Sequence, residues 1–279
     1  MNSPELSVGN LRIRLLSAGT LRLDGGAMFG VVPKTMWGKV YPSDEENRIT
    51  LGMNTPLIEG PWGTMLIDTG ALGVQSEKLK KIYQIKNRDP LEGTGLSPGD
   101  INHVLLTHLH FDHTGGSTRK EGEKWVPRYY NATYWIGAEE WARACQPNER
   151  EKGSYFPETF RPLEAAGLVS FIEGKVEVLP GVVSVPAPGH TPGHRVVQFQ
   201  CESAQAWFLA DLVPTTRHLP LPWIMAYDHE PLVTLESRKR IFPLFVDRPI
   251  PLLFEHDKDP TIGFAVTTPK GIAFSPSLH

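Results

Sequence analysis

Three histidines and one aspartate lie within six residues of the segment THLHFDH, at His108, His110, Asp112 and His113. The apolar run before this segment predicts a buried strand, and the two glycines after it allow the backbone to reverse sharply. Because alternate side chains of an extended chain point to the same side, we expect His108, His110 and Asp112 to face one way. Imidazole and carboxylate groups together suit zinc, iron or manganese. Four such groups in so short a segment cannot all converge on one small ion, so the segment predicts two neighbouring metal ions.

This segment resembles the T-H-x-H-x-D-H signature of the metallo-β-lactamase superfamily, and the resemblance extends over about residues 10 to 275. The family pattern adds a later histidine, a bridging aspartate and a last histidine, each at the end of a strand. The corresponding positions in this sequence are His190 in APGHTPGH, Asp211 in WFLADLV and His256 in LLFEHD. His194 lies in the same loop as His190 and competes with it, but the family pattern G-H-T-x-G-H places the ligand at the first histidine.

The resemblance implies two divalent metal ions per chain, with zinc expected and iron, manganese or cobalt also compatible with these donors. It assigns their seven ligands as follows: His108, His110 and His190 hold one ion, Asp112, His113 and His256 hold the other, and Asp211 bridges the two. Asp68, in the LIDTG turn, would support the site through one of these ligands and would not bind metal itself.

Two adjacent dications would lower the pKa of a bridging water and polarise a carbonyl or phosphoryl oxygen. No G-x-S-x-G motif supplies a serine nucleophile. We therefore expect a metal-dependent hydrolase that uses a metal-bridging hydroxide. Asp112 and Asp211 are the expected catalytic carboxylates, because either could orient the nucleophile or relay a proton to the leaving group.

Two further stretches resemble the lactonase and organophosphate (methyl parathion) hydrolase-like branch of the superfamily. One is the long segment before residue 50, which carries the F-G-x-x-P and Trp elements of that branch, and the other follows Asp211. The resemblance implies a small-molecule substrate and an apolar pocket that would suit an acyl chain or an aryl leaving group. Five side chains are expected to line this pocket: Phe29, Trp37, Trp223, Met225 and Tyr227.

One position departs from the lactonase pattern. Quorum-signal lactonases place a tyrosine three residues after the bridging aspartate, and Pro214 stands there in this sequence. The expected reaction is therefore hydrolysis of a lactone or an ester in general, with phosphotriesters as a further substrate class.

Two other branches remain as alternatives. A glyoxalase II-like thioester hydrolase usually carries a basic C-terminal helical region, and only a short tail follows His256 here. A mononuclear-iron persulfide dioxygenase uses one metal and often keeps only part of the second set of ligands. All seven ligand positions are filled in this sequence, which favours the hydrolase with two metals.

The elements that must position these residues are strands with helices between them. The resemblance implies an α/β fold with four layers, αββα, in which two mixed sheets are sandwiched between helices. We expect one domain over residues 1–279, with a long N-terminal loop at about residues 25–50 that covers the surface or an interface of a homodimer.

Composition narrows the partners. The net charge is −3, which offers no broad basic surface for nucleic acid. No run approaches the roughly 18 apolar residues of a membrane span, so no membrane association is expected. The two cysteines, Cys145 and Cys201, are too few for a disulfide framework, and we expect a cytoplasmic protein.

Overall fold

Two β-sheets pack face to face at the centre of the structure, a computed structural model that describes residues 3–74 and 76–277. Side chains at alternate positions of a strand point to opposite faces of its sheet. Met65, Ile67 and Leu105 of the first sheet therefore point inward, into the same apolar cluster as Phe199 and Phe208 of the second. This cluster forms the core between the two sheets.

Helices cover the outer face of each sheet. Val104 and Leu106 of the first sheet belong to an outer cluster with Phe160 of a helix. Trp207 of the second sheet packs in a separate cluster with Ile241, also from a helix. The order of layers is helix, sheet, sheet, helix, so the predicted four-layer α/β fold is confirmed.

The first sheet contains both antiparallel and parallel pairs. Its strands are β1 (Glu5–Val8), β2 (Leu11–Asp24), β3 (Arg48–Gly60), β4 (Gly63–Ile67), β5 (Lys86–Asn87), β6 (His103–Leu106), β9 (Thr133–Gly137) and β10 (Val169–Ile172). The order is β1-β2-β3-β4-β6-β9-β10, with β5 paired to β2. Pairing is antiparallel from β1 to β4 and parallel from β4 to β10.

The second sheet is also mixed. Its strands are β11 (Val176–Leu179), β12 (Val182–Pro186), β13 (Arg195–Cys201), β14 (Ala204–Phe208), β15 (Leu252–Phe254), β16 (Thr261–Thr268) and β17 (Gly271–Ser275). They pair in chain order, and only β14 and β15 run parallel to each other. A separate hairpin is formed by β7 (Thr118–Glu121) and β8 (Lys124–Pro127).

The α-helices are short. They are α1 (Gly25–Phe29), α2 (Lys34–Trp37), α3 (Glu77–Tyr83), α4 (Phe111–Thr114), α5 (Ala138–Cys145), α6 (Pro157–Ala165) and α7 (Pro231–Ile241). Among the residues that the structure describes, four 3-10 turns lie at Pro98–Asp100, Ala210–Leu212, Thr216–His218 and Phe242–Leu244. Within the described ranges, no helix has both the length and the apolar character needed to span a membrane.

The segment predicted as a long N-terminal loop is partly helical, because it contains α1 and α2 before β3 begins at Arg48. Phe29 and Trp37 anchor it in the interior, with ring centroids 5.3 Å apart. Gly30 has a φ of +57°, and a side chain there would meet the Ile224 carbonyl oxygen, so the segment lies directly against the later chain. The single domain over residues 1–279 stays a prediction, and residues 1–2, 75 and 278–279 lie outside the described chain.

Candidate metal centre

The predicted site residues lie where neighbouring parallel strands end. In the first sheet, Asp68 follows β4 and His108 lies two residues beyond the end of β6, and these two strands are parallel neighbours. In the second sheet, Asp211 follows β14 and His256 follows β15, which also run side by side. Carboxyl ends of adjacent parallel strands meet at one edge of a sheet. The chain therefore gathers all four residues at one rim of the sandwich.

Three buried histidines form the first group. The ligand-type nitrogen atoms of His108, His110 and His190 all lie within 4.8 Å of one another. The Nε2 atom of His190 is 3.1 Å from Nδ1 of His110. His110 and His190 are separated by 80 positions in the chain, so the fold brings the predicted third member of this group to the first two.

A second buried group lies beside the first. Its ligand-type atoms belong to His113, Asp211, Glu255 and His256, and they also lie within 4.8 Å of one another. Glu255 was not predicted. Its Oε1 atom is 2.9 Å from Nδ1 of His113, whereas Nε2 of the same ring faces Asp211. Glu255 therefore contacts the rear of the His113 ring.

Asp211, which belongs to the second group, lies between the histidines of the two groups. Its Oδ2 atom is 3.0 Å from Nε2 of His190 in the first group, and its Oδ1 atom is 3.0 Å from Nε2 of His256 in the second. Nε2 of His108 and Nε2 of His113 are 3.9 and 3.7 Å from Oδ2. A carboxylate in this position can share its two oxygens between two cations.

Asp112 is placed differently from the sequence expectation. We expected an extended segment, but Phe111–Thr114 forms the one-turn helix α4, closed by a bond from the Thr114 hydroxyl to the His110 carbonyl oxygen (3.1 Å). In a helix, side chains two positions apart do not point to the same side, so Asp112 does not continue the alternation of His108 and His110. Its Oδ1 atom lies 3.8 Å from Nε2 of His113, and Asp112 lines the cavity above the site although it belongs to neither group.

Asp68 supports the site by contacting His113 and Thr107. Its Oδ2 atom is 3.0 Å from Nδ1 of His113 and accepts the Thr107 hydroxyl at 2.6 Å, while Oδ1 accepts the Thr107 backbone N–H at 2.8 Å. Its φ is +56°, in the left-handed region that a non-glycine residue seldom adopts. Ala210, immediately before Asp211, has a φ of +42°. Backbone strain of this kind accumulates at functional sites.

Two other histidines of the groups have a partner on the nitrogen that faces away from Asp211. Nδ1 of His190 is 2.9 Å from Oδ1 of Asp228, which is fully buried. Nδ1 of His256 donates to the Gly52 carbonyl oxygen at 2.8 Å. Such partners fix the orientation and the tautomer of a metal-binding imidazole. Nothing in the sequence around Asp228 marked it, although it lies in the predicted pocket segment.

The competing histidine, His194, uses both of its nitrogens elsewhere. Nδ1 donates to the Ala187 carbonyl oxygen at 3.0 Å, and Nε2 accepts the Asp211 backbone N–H at 3.1 Å. His194 therefore holds the backbone of Asp211 and is absent from both groups.

The buried polar atoms of the site fit a metal centre. In the described chain, Nε2 of His108, His110 and His113 are buried without a hydrogen-bond partner, and so is Oδ1 of Asp211, whose 3.0 Å contact with Nε2 of His256 lacks hydrogen-bond geometry. Unsatisfied buried donors and acceptors are rare because each costs free energy. Here they converge on the same small volume, and they belong to the atom types that bind transition metals. A pair of cations would satisfy all four.

The charged side chains of the two groups shift one another's pKa values. Burial disfavours the ionised form of Asp211, but the nearby His190 and His256 outweigh it and hold the Asp211 pKa well below its usual range. Burial likewise opposes a charge on His190, but Asp211 and Asp228 raise its pKa to about 10. Burial and the neighbouring His113 lower the pKa of His108. The carboxylate is therefore ionised, and protons occupy some of the nitrogens where a cation would bind.

A cavity of about 750 Å³, counting its opening to solvent, lies over the site. Its floor contains His110, Asp112, His190, Asp211 and His256. Its apolar wall is built by Leu23, Met28, Leu51, Phe111 and Met225, and its polar positions are Tyr83, Arg150, Glu151, Ser154, Tyr227 and His229. A cavity with an apolar wall and a few convergent polar groups suits a small organic molecule with an apolar part.

The five predicted pocket residues divide into two sets. Met225 and Tyr227 line the cavity. Phe29 and Trp37 lie behind the wall, where Phe29 also stacks on His218 (4.6 Å) and meets the edge of Trp223 (5.6 Å). These rings pack against one another and do not line the cavity. Met28 and Met225 present apolar surface to the cavity instead. This aromatic stack supports the wall from behind.

Pro214, at the position where lactonases carry a tyrosine, helps to position His256 through its backbone. Its carbonyl oxygen accepts the backbone N–H of His256 at 2.8 Å.

Known proteins resemble this chain in sequence and in fold. A sequence profile of the metallo-beta-lactamase superfamily matches residues 52–249. The N-acyl homoserine lactonase AiiA of Bacillus thuringiensis subsp. kurstaki is 26% identical over 216 residues, which cover 72% of this chain and 79% of that protein. The structure of a probable metal-dependent hydrolase from Staphylococcus aureus has a TM-score of 0.88 at 30% identity, covering 96% of this chain and 98% of that one. AidC, a dizinc quorum-quenching lactonase solved with a product, shares the fold with a TM-score of 0.81 at 21% identity, covering 100% and 98% of the two chains.

Proposed function

Because the chain belongs to the metallo-β-lactamase superfamily, we propose that it is a metal-dependent hydrolase that opens lactones. The observation that carries this proposal is the position of Asp211, whose two oxygens face two groups of buried histidines at the floor of an apolar-walled cavity. The lactonase names of its curated relatives support the substrate class. They favour neither the thioester hydrolase nor the persulfide dioxygenase.

Two divalent metal ions, when bound, would activate water and polarise the substrate carbonyl. The proposed ligands are those expected from the sequence. His108, His110 and His190 would hold one ion, His113, His256 and Asp112 the other, and Asp211 both. Zinc is the metal we propose, since imidazole and carboxylate donors suit it.

Asp112 is the proposed proton carrier. It lines the cavity beside His113, at the boundary between the buried histidines and the space for substrate. When water adds to the lactone carbonyl and the ring C–O bond breaks, the leaving alkoxide needs a proton. Asp112 can take one from the attacking water and return it to that oxygen, so that the product is a hydroxy acid. Tyr83 and Tyr227 add hydroxyl groups to the cavity wall, where they can orient the substrate.

The apolar wall would hold the side chain of the lactone. Met28, Leu51 and Met225 present flexible or branched aliphatic surface near the floor. Burying an acyl chain against this surface would stabilise the complex by about 25 cal/mol for each Å² of apolar surface removed from water. We therefore propose a lactone with an apolar substituent.

Two narrower proposals concern the setting of the protein. A homodimer that uses the N-terminal segment is proposed because Val31 and Met36 of that segment are exposed apolar side chains. A cytoplasmic location is proposed, and the free thiols of Cys145 and Cys201 support it because they suit a reducing compartment.

The proposal is tested with purified protein that has been stripped of metal and reloaded with zinc. The substrates are γ- and δ-lactones with short and long acyl chains, an acyl thioester and an aryl phosphotriester. We expect the lactones to be hydrolysed only by the reloaded protein, with the long acyl chain preferred. Turnover of the thioester or the phosphotriester alone would replace the proposed substrate class, and equal turnover without metal would contradict the metal centre.

A further inference from the structure

Helix α5 carries a fully buried carboxylate, Glu140, to which the proposed reaction assigns no role. Its Oε1 atom accepts the Leu109 backbone N–H at 2.9 Å and the Tyr155 hydroxyl at 3.2 Å. Its Oε2 atom accepts the Thr191 hydroxyl at 2.5 Å. A buried carboxylate is costly unless it is bonded in this way, so its three donors account for its presence in the interior.

Each of the three donors is adjacent to a histidine of the first group. Leu109 lies between His108 and His110 in the chain, and Thr191 directly follows His190. The Tyr155 ring is 4.9 Å from the His110 ring and packs on it edge to face. One side chain therefore joins the two separate segments that supply the three histidines.

The backbone around this carboxylate is packed to bring those segments together. A Cβ atom on Gly193 would lie 2.2 Å from the Glu140 backbone nitrogen, so only glycine allows the loop that carries His190 to lie this close to α5. In the described chain, the side-chain hydrogen bonds of Glu140 all lie beside the first group. His113 of the second group is contacted instead by Asp68, which also bonds Thr107 beside His108, and by Glu255.

We propose that Glu140 is a positioning residue for one of the two metal ions, the one held by His108, His110 and His190. The proposal rests on the metal centre proposed above. Glu140 fixes the separation between the segment of His108 and His110 and the loop of His190. Without it, the three nitrogens remain in the chain but lose their common geometry, while the ion held by His113 and His256 keeps its own support. If Glu140 had a purely structural role, its substitution would lower the free energy of unfolding but would not weaken the binding of one ion more than that of the other.

The test isolates each ion in turn. His256→Asn leaves a protein whose remaining ion is the first, and His190→Asn leaves the second. Into each background we introduce Glu140→Gln, and we measure the dissociation constant for Co²⁺ by competition with a chromophoric chelator and by the visible spectrum of the bound cobalt. Glu139→Gln is the matched control, because Glu139 precedes Glu140 on the same helix and is exposed.

In the His256→Asn background, Glu140→Gln should weaken cobalt binding and alter its spectrum. Glu140 bonds residues beside the ligands and no ligand directly, so the loss of about 10–100-fold that follows removal of a ligand's own hydrogen-bond partner is the upper end of the expected range. In the His190→Asn background Glu140→Gln should change neither the binding nor the spectrum. Glu139→Gln should have no effect in either. Equal weakening in both backgrounds, or none in the first, would overturn the proposal.

Two further measurements keep the test decisive. If Glu140→Gln fails to fold, the double variant Tyr155→Phe and Thr191→Val removes two of the three donors and leaves the carboxylate in place. The same selective loss of the first ion is then expected, and its absence counts against the proposal. If the otherwise unaltered protein binds no cobalt at all, the metal centre itself is refuted, which is distinguishable from a failure of the Glu140 proposal.

Discussion

Asp228 meets His190 through a 2.9 Å contact between its Oδ1 atom and the ring Nδ1, which turns the opposite nitrogen, Nε2, toward Asp211. Asp228→Asn keeps the size of the side chain and removes its charge. We expect the affinity for one metal ion to fall about 10–100-fold. Metal content after dialysis measures this. Asp259→Asn is the control, because that aspartate is exposed, and equal metal loss in both variants would contradict an orienting role.

Asp211→Asn should abolish turnover, because an amide cannot offer two anionic oxygens to the two histidine groups. His110→Ala should do the same by removing one donor from the first group. The loss should exceed the roughly 10–100-fold cost of losing an outer partner. His103→Ala serves as the comparison, since that ring packs between Trp62 and Trp135 and lies outside both groups. Full activity in the Asp211 variant would remove its proposed bridging role.

Removing metal should lower the melting temperature as well as activity. The site joins strand ends of both sheets, and a ligand that binds only the folded state stabilises it by about 2.7 kcal/mol when present at 100 times its Kd. Scanning calorimetry with and without a chelator measures the shift. Activity that disappears with metal while the melting temperature stays fixed would show that the ions do not hold the sheets together.

Metal binding should release protons at neutral pH. Burial opposes the charge on His190 and His256, but Asp211 outweighs it and raises their pKa to about 10 and about 9. Both rings are therefore protonated near pH 7 in the metal-free protein, and each must lose its proton before it can bind a cation. Affinity should rise with pH through this range as proton competition weakens. Titration calorimetry in two buffers of different ionisation enthalpy counts the protons, and identical heats in both would contradict this.

Met225→Ala should reduce selectivity for long acyl chains. Met225 lines the cavity and is itself buried, so truncation removes apolar contact from the substrate. We expect kcat/KM for a long-chain lactone to fall about 10-fold or more, and that for a short-chain lactone to change little, since apolar pocket contacts carry about 1–3 kcal/mol per group. Leu232→Ala, an exposed position on α7, is the control. A uniform loss across chain lengths would place Met225 outside the acyl site.

The sequence predicted the elements whose signals are local. The apolar run before His108 was predicted as a buried strand and forms β6. That prediction follows from a hydrophobic pattern within a few residues. The grouping of distant His190, Asp211 and His256 required the family resemblance.

The residues that the sequence missed act over long distances in the chain. Asp228 faces a histidine 38 positions away, and Glu140 accepts from a threonine 51 positions away. Only the fold makes such pairs neighbours, so no local pattern marks either carboxylate. Glu255 carried a weak signal, because it directly follows the apolar strand Leu252–Phe254 and precedes His256. Phe29 and Trp37 were assigned to the pocket by resemblance, but aromatic packing draws both rings into the interior.

Ala210 has a consequence for the adaptation of this protein. It holds a left-handed backbone conformation directly before Asp211, at a cost on the order of 1 kcal/mol that glycine would not incur. Glycine would also give this backbone more freedom at the point where the aspartate must face two sets of histidines. Selection for heat resistance would therefore favour glycine at this position, because glycine avoids the backbone cost. Selection for rapid turnover would favour alanine, because alanine restricts the backbone next to Asp211.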